Sequence, residues 1–263
     1  MKIEIYQVDA FAKKLFSGGP AAVCPLSSWL PEETMQSIAI ENNLSETAFF
    51  VESANAFHIR WFTPGGEVKL CGHATLASAY VIFHYLKPDL EQIVFDSLSG
   101  LLMVKKLSND HIELDFPAIS VEKADQEEKL LAALGGVPDK IYRSHQDYLV
   151  VYASQSDIEN LPPDFRLLKE IELRGVIVTV PGKACDFVSR FFVPKCGIDE
   201  DPVTGSAHCI LTPYWKNRLD KSTLVARQLS KRGGEIQCSI VGDRVASRSI
   251  FKRNHLYLKL SVA

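Results

Sequence analysis

Residues 73–85 read HATLASAYVIFHY. The stretch is long enough for a helix and has no polar face. A helix that is apolar all round is stable only when it is buried all round, so this one calls for walls on every side. Ser206 to Lys216 (SAHCILTPYWK) has the same character, with Pro213 expected to kink it. The approach to each helix is also alike. Phe62-Thr63-Pro64 is followed by Glu67 and then Gly72-His73-Ala74. Phe192-Val193-Pro194 is followed by Glu200 and Asp201 and then Gly205-Ser206-Ala207. The two spacings differ by three residues, which a loop absorbs. Short repeats would mean a solenoid; this one spans half the chain. It points to a duplicated domain with a cleft between the copies, the alternative being chance likeness of two strand–loop–helix units. The fold class expected is α+β: two pseudo-symmetric domains, 1–117 and 118–263, each a mostly antiparallel sheet or barrel wrapped around a central buried helix. The last strand could cross back to the first domain.

The rest of the chain supplies the walls. Period-two or β-branched runs predict strands at Lys2–Val8, up to Val23, Thr47–Val51, Phe57–Phe62, Ile93–Asp96, Leu101–Leu107 and His111–Phe116. In the second half they fall at Tyr148–Tyr152, Gly175–Val180, Asp186–Phe192, Leu224–Gln228, Glu235–Val241 and His255–Leu260. Pro31-Glu32-Glu33 opens a helix to about Asn42, with proline and acids where a helix start favours them. A charged helix is expected at Asp125–Leu134, before Gly135-Gly136, and Gly233-Gly234 reads as a hairpin turn.

The chain has 263 residues, 46% hydrophobic and 23% charged, which is ordinary for a globular protein with a core in each half. A net charge of -3 offers no basic excess for nucleic acid or an acidic membrane surface. No apolar run reaches the roughly 18 residues of a membrane span, and the start MKIEI lacks a signal-peptide pattern. The cysteines at 24, 71, 185, 196, 209 and 238 form no C-x-x-C pair, so reduced thiols in a cytoplasmic protein are expected and a metal site is not. Phosphate-loop, G-x-S-x-G and H-E-x-x-H patterns are missing. If protons move here, side chains move them, with no cofactor.

Each Gly-X-Ala turn puts free backbone N–H groups at a helix start, where orphan donors and the positive dipole end suit an anion. One such turn is equally well a tight entry into a helix; a matched pair favours a carboxylate ligand. Glu46, in NNLSETAFF at 42–50, lies between a helix and an apolar strand. It is either a surface loop residue or a carboxylate whose lost solvation suits it to general acid–base work. His73, at a helix start, is expected neutral, and is either structural or placed to hydrogen-bond a substrate or relay a proton. Asp201 lies either in a solvated acidic loop or beside the helix mouth. Cys71 could be a thiolate base or a small buried hydrophobe; its counterpart before Gly205 is Thr204, so no two-cysteine pair exists.

At these residues the chain resembles the PhzF-like family of phenazine biosynthesis, which shares its fold with diaminopimelate epimerase. The likeness runs nearly end to end: VDAFAKKLFSGGPAAV (8–23), NNLSETAFF (42–50), RWFTPGGEVKLCGHATLASA (60–79), DFP (115–117), RFFVPKCGIDEDPVTGSAHC (190–209) and RQLSKRGGE (227–235). Departures are Gly19 where asparagine is common, Lys69 where an acid is common, and no glycine in RVASRSIF at 244–251. The resemblance implies Glu46 as general acid–base with His73 beside it, and Asp201 and Ser206 as polar lining. It further implies that backbone amides at Gly72, His73, Gly205 and Ser206 receive a substrate carboxylate, and that the protein is a homodimer. The phenazine enzyme itself shifts a double bond in a dihydro-hydroxyanthranilate by moving a proton. The function expected is therefore a cofactor-independent isomerase acting on a small carboxylate. The alternatives are a dehydratase or racemase using Cys71, and a non-catalytic carboxylate-binding protein.

Overall fold

The computed structural model describes residues 2–14, 16–108, 111–125, 127–250 and 256–261, with residues 250 and 256–261 described through their backbone alone. By internal packing the chain divides into Met1–Asp115 together with Ser247–Ala263, and Phe116–Ala246.

In the first unit β1 (Lys2–Ala10) runs antiparallel to β2 (Gly19–Leu26). After α1 (Glu32–Asn42) the chain returns as β3 (Glu46–Glu52), parallel to β2, and turns back as β4 (Phe57–Thr63). A short β5 (Gly66–Val68) folds onto β4 and leads to α2 (Gly72–Val81). The antiparallel strands β6 (Gln92–Ser97), β7 (Gly100–Lys106) and β8 (His111–Pro117) follow, with β6 parallel to β4.

All ten residues of α2 are buried, against β1, β2 and β3. Its hydroxyls cause no conflict because they bond back into the helix: Thr75 Oγ1 donates to Cys71 O at 2.6 Å and Ser78 Oγ to Ala74 O at 2.8 Å. The regular helix stops at Val81, and a wider turn, Ile82–Leu86, completes the expected segment to Tyr85. By contrast α1 buries only Met35 and Ala39, which pack with Ile3, Ile5, Cys24, Phe49 and Phe62.

The second unit opens with β9 (Glu122–Lys123), α3 (Glu128–Leu134), β10 (Lys140–Arg143) and β11 (Asp147–Val151). Past two short helices, α4 (Gln155–Glu159) and α5 (Phe165–Leu168), comes β12 (Gly175–Pro181), parallel to β11, and then β13 (Phe187–Phe192), antiparallel to β12. Helix α6 (Gly205–Leu219) continues through Pro213 and buries nine residues. The strands β14 (Thr223–Gln228) and β15 (Gly234–Val241) follow, β14 parallel to β13. The succession of parallel, antiparallel, buried helix, parallel and antiparallel is the same in both units. A shared side-chain device marks it. Arg60 forks onto Glu67 at 2.7 and 2.6 Å with its guanidinium over Phe62; Arg190 forks onto Glu200 at 2.8 and 3.0 Å with its guanidinium over Phe192. The repeated acids Glu67 and Glu200 are thus clamps behind the two helix entries.

The chain ends with β16 (Arg244–Ile250) and β17 (Leu256–Ser261), and β17 pairs antiparallel with β1. Phe251 and His255, which belonged to the expected tail and last strand, lie outside the described residues. So does Gln126, within the expected helix at 125–134 that here begins at Glu128. Among the described residues no helix is long and apolar enough to cross a membrane.

Candidate active site

Glu46 is placed by a helix stop and a strand start. α1 ends on Asn43 in the left-handed conformation (φ 48), and three residues later Glu46 opens β3, paired with Ala21 of β2. His73 is placed by α2: Cys71 is the extended N-cap residue, Gly72 the first helical residue and His73 the second. The two meet. His73 Nε2 lies 3.0 Å from Glu46 Oε2, with the imidazole 3% exposed and the carboxylate 14%. On the other side of the ring, Nδ1 lies 3.6 Å from Cys71 Sγ. Among the described residues neither His73 Nε2 nor Glu46 Oε2 makes an aligned hydrogen bond, close as they are.

Burial works against a charge on His73, but the Glu46 carboxylate 3.0 Å away outweighs it and holds the imidazole well above its ordinary pKa. This corrects the expectation of a neutral imidazole, which weighed the helix end without the carboxylate opposite. Cys71 behaves differently. Burial first, then the Glu46 charge, push its thiol up to about 11, so at neutral pH it is protonated and a poor thiolate base. One ligand atom each from Glu46, Cys71 and His73 fall within 4.8 Å of one another, a donor set that could hold a metal ion. The ring's two nitrogens face different partners, however, so an ion bound through one of them sits on the Cys71 side or on the Glu46 side.

In the second unit Asp201, Gly205 and Ser206 gather at the entry to α6. Asp201 is buried and accepts from Thr204 Oγ1 at 2.7 Å. Gln228 pins the same loop: its Nε2 donates to Asp201 O at 2.6 Å and its Oε1 accepts from Thr204 N at 2.9 Å. Gly205 is the first residue of α6 and Ser206 the second. Ser206 Oγ accepts from Arg174 Nη2 at 3.3 Å. Arg174 is itself forked onto the buried Asp147 at 2.9 and 2.6 Å and lies over Phe191. Sequence reasoning missed Arg174, Asp147 and Gln228. Only the Arg-Gly pair opening an apolar strand could have drawn notice to the first of these.

A family model described as phenazine biosynthesis-like protein (PhzC-PhzF) matches residues 8–250. The chain belongs to the phenazine biosynthesis-like family. A Pseudomonas aeruginosa protein described as an uncharacterized isomerase is 49% identical over 246 residues, 94% of each chain. Another so described, from Halalkalibacterium halodurans, is 45% identical over 93% of this chain and 94% of its own. The crystal structure of a PhzF family protein from Enterococcus faecalis superposes with a TM-score of 0.92 at 46% identity, over 99% of this chain and 100% of that one. Family membership therefore extends over both units and includes both helix entries, with Glu46, His73, Asp201 and Ser206 all inside the matched span.

Proposed function

We propose that this chain is an isomerase that moves a proton on a small carboxylate substrate by side chains alone. The observation that carries the proposal is the 3.0 Å approach of Glu46 to a buried His73 at the first turn of a fully buried helix. The names of the isomerase relatives accord with it. Glu46 takes a proton from an activated carbon: the C–H bond breaks, a carboxyl O–H forms, and the electron pair enters the substrate's conjugated system. The same proton, or one exchanged with solvent, is then returned to a different carbon, and Glu46 is regenerated as a carboxylate. His73 supports this cycle by stabilising the carboxylate before proton removal and by hydrogen-bonding substrate as charge develops. Asp201 orients polar groups of the substrate. In the second unit the amide of Gly205 and the hydroxyl of Ser206 receive its carboxylate, as a helix start does for an anion.

Deuterium wash-in tests this. The protein is incubated in D2O with a panel of small carboxylates that includes dihydro-hydroxyanthranilate, beside Glu46→Gln, and carbon-bound deuterium is read by NMR. Exchange with the wild type, reduced at least about 100-fold by Glu46→Gln, is the expected result for loss of a general acid–base. Undiminished exchange in Glu46→Gln would remove Glu46 from its role. Because the Cys71 thiol is held protonated, Cys71→Ser is expected to have a mild effect; near-complete loss would favour the dehydratase or racemase reading.

A further inference from the structure

The duplication allows each site position to be matched with its twin. In the first unit Ala21 pairs with Glu46, and Thr47 with Phe62. In the second, Asp147 pairs with Gly175, and Val176 with Phe192. Since Arg60–Phe62 and Arg190–Phe192 are the same device, Gly175 is the twin of Glu46, Arg174 of Ser45, and Asp147 of Ala21. The helix starts match as well, so Ser206 is the twin of His73.

The twin of Glu46 cannot carry a side chain. A Cβ on Gly175 would fall 2.6 Å from Phe192 O and 2.9 Å from the Phe191 ring. The residue before it does the reaching instead: where Glu46 meets His73, Arg174 meets Ser206. From this we infer that Arg174 is a positioning residue, which fixes Ser206 as a hydrogen-bond donor to the substrate's carboxylate. This deepens the proposed function and rests on its assignment of Ser206 to the substrate carboxylate.

Two facts of chemistry carry the inference. A guanidinium has donors only, so in the Arg174–Ser206 contact the serine oxygen must accept. Its single O–H is left for another acceptor. The charge of Arg174 is already matched by Asp147, whose carboxylate is 1% exposed. What Arg174 adds is therefore orientation more than net charge. The first unit's half of the duplication holds a group that can exchange a proton; the second unit's half holds a donor with its direction set.

The test reads binding without turnover. Anthranilate and benzoate are titrated by calorimetry into the full chain, into Ser206→Ala, into the pair Arg174→Met with Asp147→Asn, and into the triple variant. The pair is changed together because Arg174→Met alone would strand a buried carboxylate. Ser206→Ala and the pair are each expected to weaken binding about tenfold, and the triple variant to be no weaker than Ser206→Ala, because residues acting through one another are non-additive. Arg174→Lys, should the pair fail to fold, is expected to weaken binding severalfold, since one ammonium cannot serve both Asp147 and Ser206 in the same geometry. Multiplicative losses in the triple variant, wild-type affinity in the pair or in Arg174→Lys, or no saturable binding of either probe to the wild type would overturn the inference. Absence of deuterium exchange with these non-additive losses intact would overturn the proton-transfer proposal and leave this one standing.

Discussion

Two histidines sit at equivalent depth in their helices' surroundings and titrate in opposite directions. His208 is completely buried, with Nδ1 2.7 Å from Thr204 O, and burial lowers its pKa from 6.5 to about 4. The native state therefore refuses a proton that the unfolded chain accepts below pH 6.5, and stability falls as pH drops from about 6.5 to about 4. Of this loss, on the order of 1–2 kcal/mol is due between pH 6.5 and 5. His73 does the reverse. Its raised pKa contributes stability that is fully present below 6.5 and is lost as pH rises through its native value. Stability is expected to peak near pH 6.5. Urea unfolding across pH should show the acid-side loss removed in His208→Asn, whose amide can still donate to Thr204 O, and the alkaline-side loss removed in His73→Asn. An acid-side loss between pH 6.5 and 5 unchanged in His208→Asn would refute the assignment. Of these residues the sequence made His73 and Glu46 visible as candidates, because each stands at an element boundary. Their contact was not visible, since it depends on the register of β3 against β2. Arg174 was hidden for a different reason. A lone arginine before an apolar strand reads as solvated, and only the fold brings the buried Asp147 behind it.

At the scale of elements, what the sequence shows best is what hydrophobicity alone decides. α2 and α6 stood out because an apolar helix has one possible environment. β16 did not stand out, because its inward residues include Ser247 and Ser249, small and polar, so the alternation of apolar and polar residues is lost. Ser249 nevertheless has a defined structural role, its Oγ accepting from the Phe11 amide at 2.8 Å where Phe11 holds a left-handed backbone (φ 59). The short helices α4 and α5 have too few residues to show a period. The contrast between α1 and α2 is testable. Ala77 in α2 is fully buried and Ile40 in α1 is 54% exposed. Ala77→Asp should cost at least about 4 kcal/mol, burying a carboxylate with no partner. Ile40→Glu should stay within about 0.5 kcal/mol of wild type. Chemical denaturation of the two variants decides it, and comparable losses in both would mean that α2 is not sealed as described.

At the scale of the molecule, the duplicated order of strands was foreshadowed by the repeated approach to each helix. The sequence raised the possibility that the last strand crosses back to the first unit but could not decide it, because strand partners far apart in the chain leave no periodic mark. Phe116–Ala246 is continuous, whereas the first unit is written in two pieces, Met1–Asp115 and Ser247–Ala263. A fragment of residues 116–246 should therefore give a dispersed amide NMR spectrum by itself. A fragment of residues 1–115 should not, until a peptide of residues 247–263 is added. Equal dispersion in the 1–115 fragment alone would show that β17 is dispensable to that unit.

The same pairing of β17 with β1 sets a timetable for synthesis. As the polypeptide leaves the ribosome, β1 emerges before the second unit is made, yet the strand that covers its outer edge emerges only after that unit. Throughout the making of the second unit, β1 presents unpaired backbone donors and acceptors, the kind of edge that recruits strands from other chains. In the interval between β1 and β17 the nascent chain is exposed to strand misassembly that the finished pairing prevents.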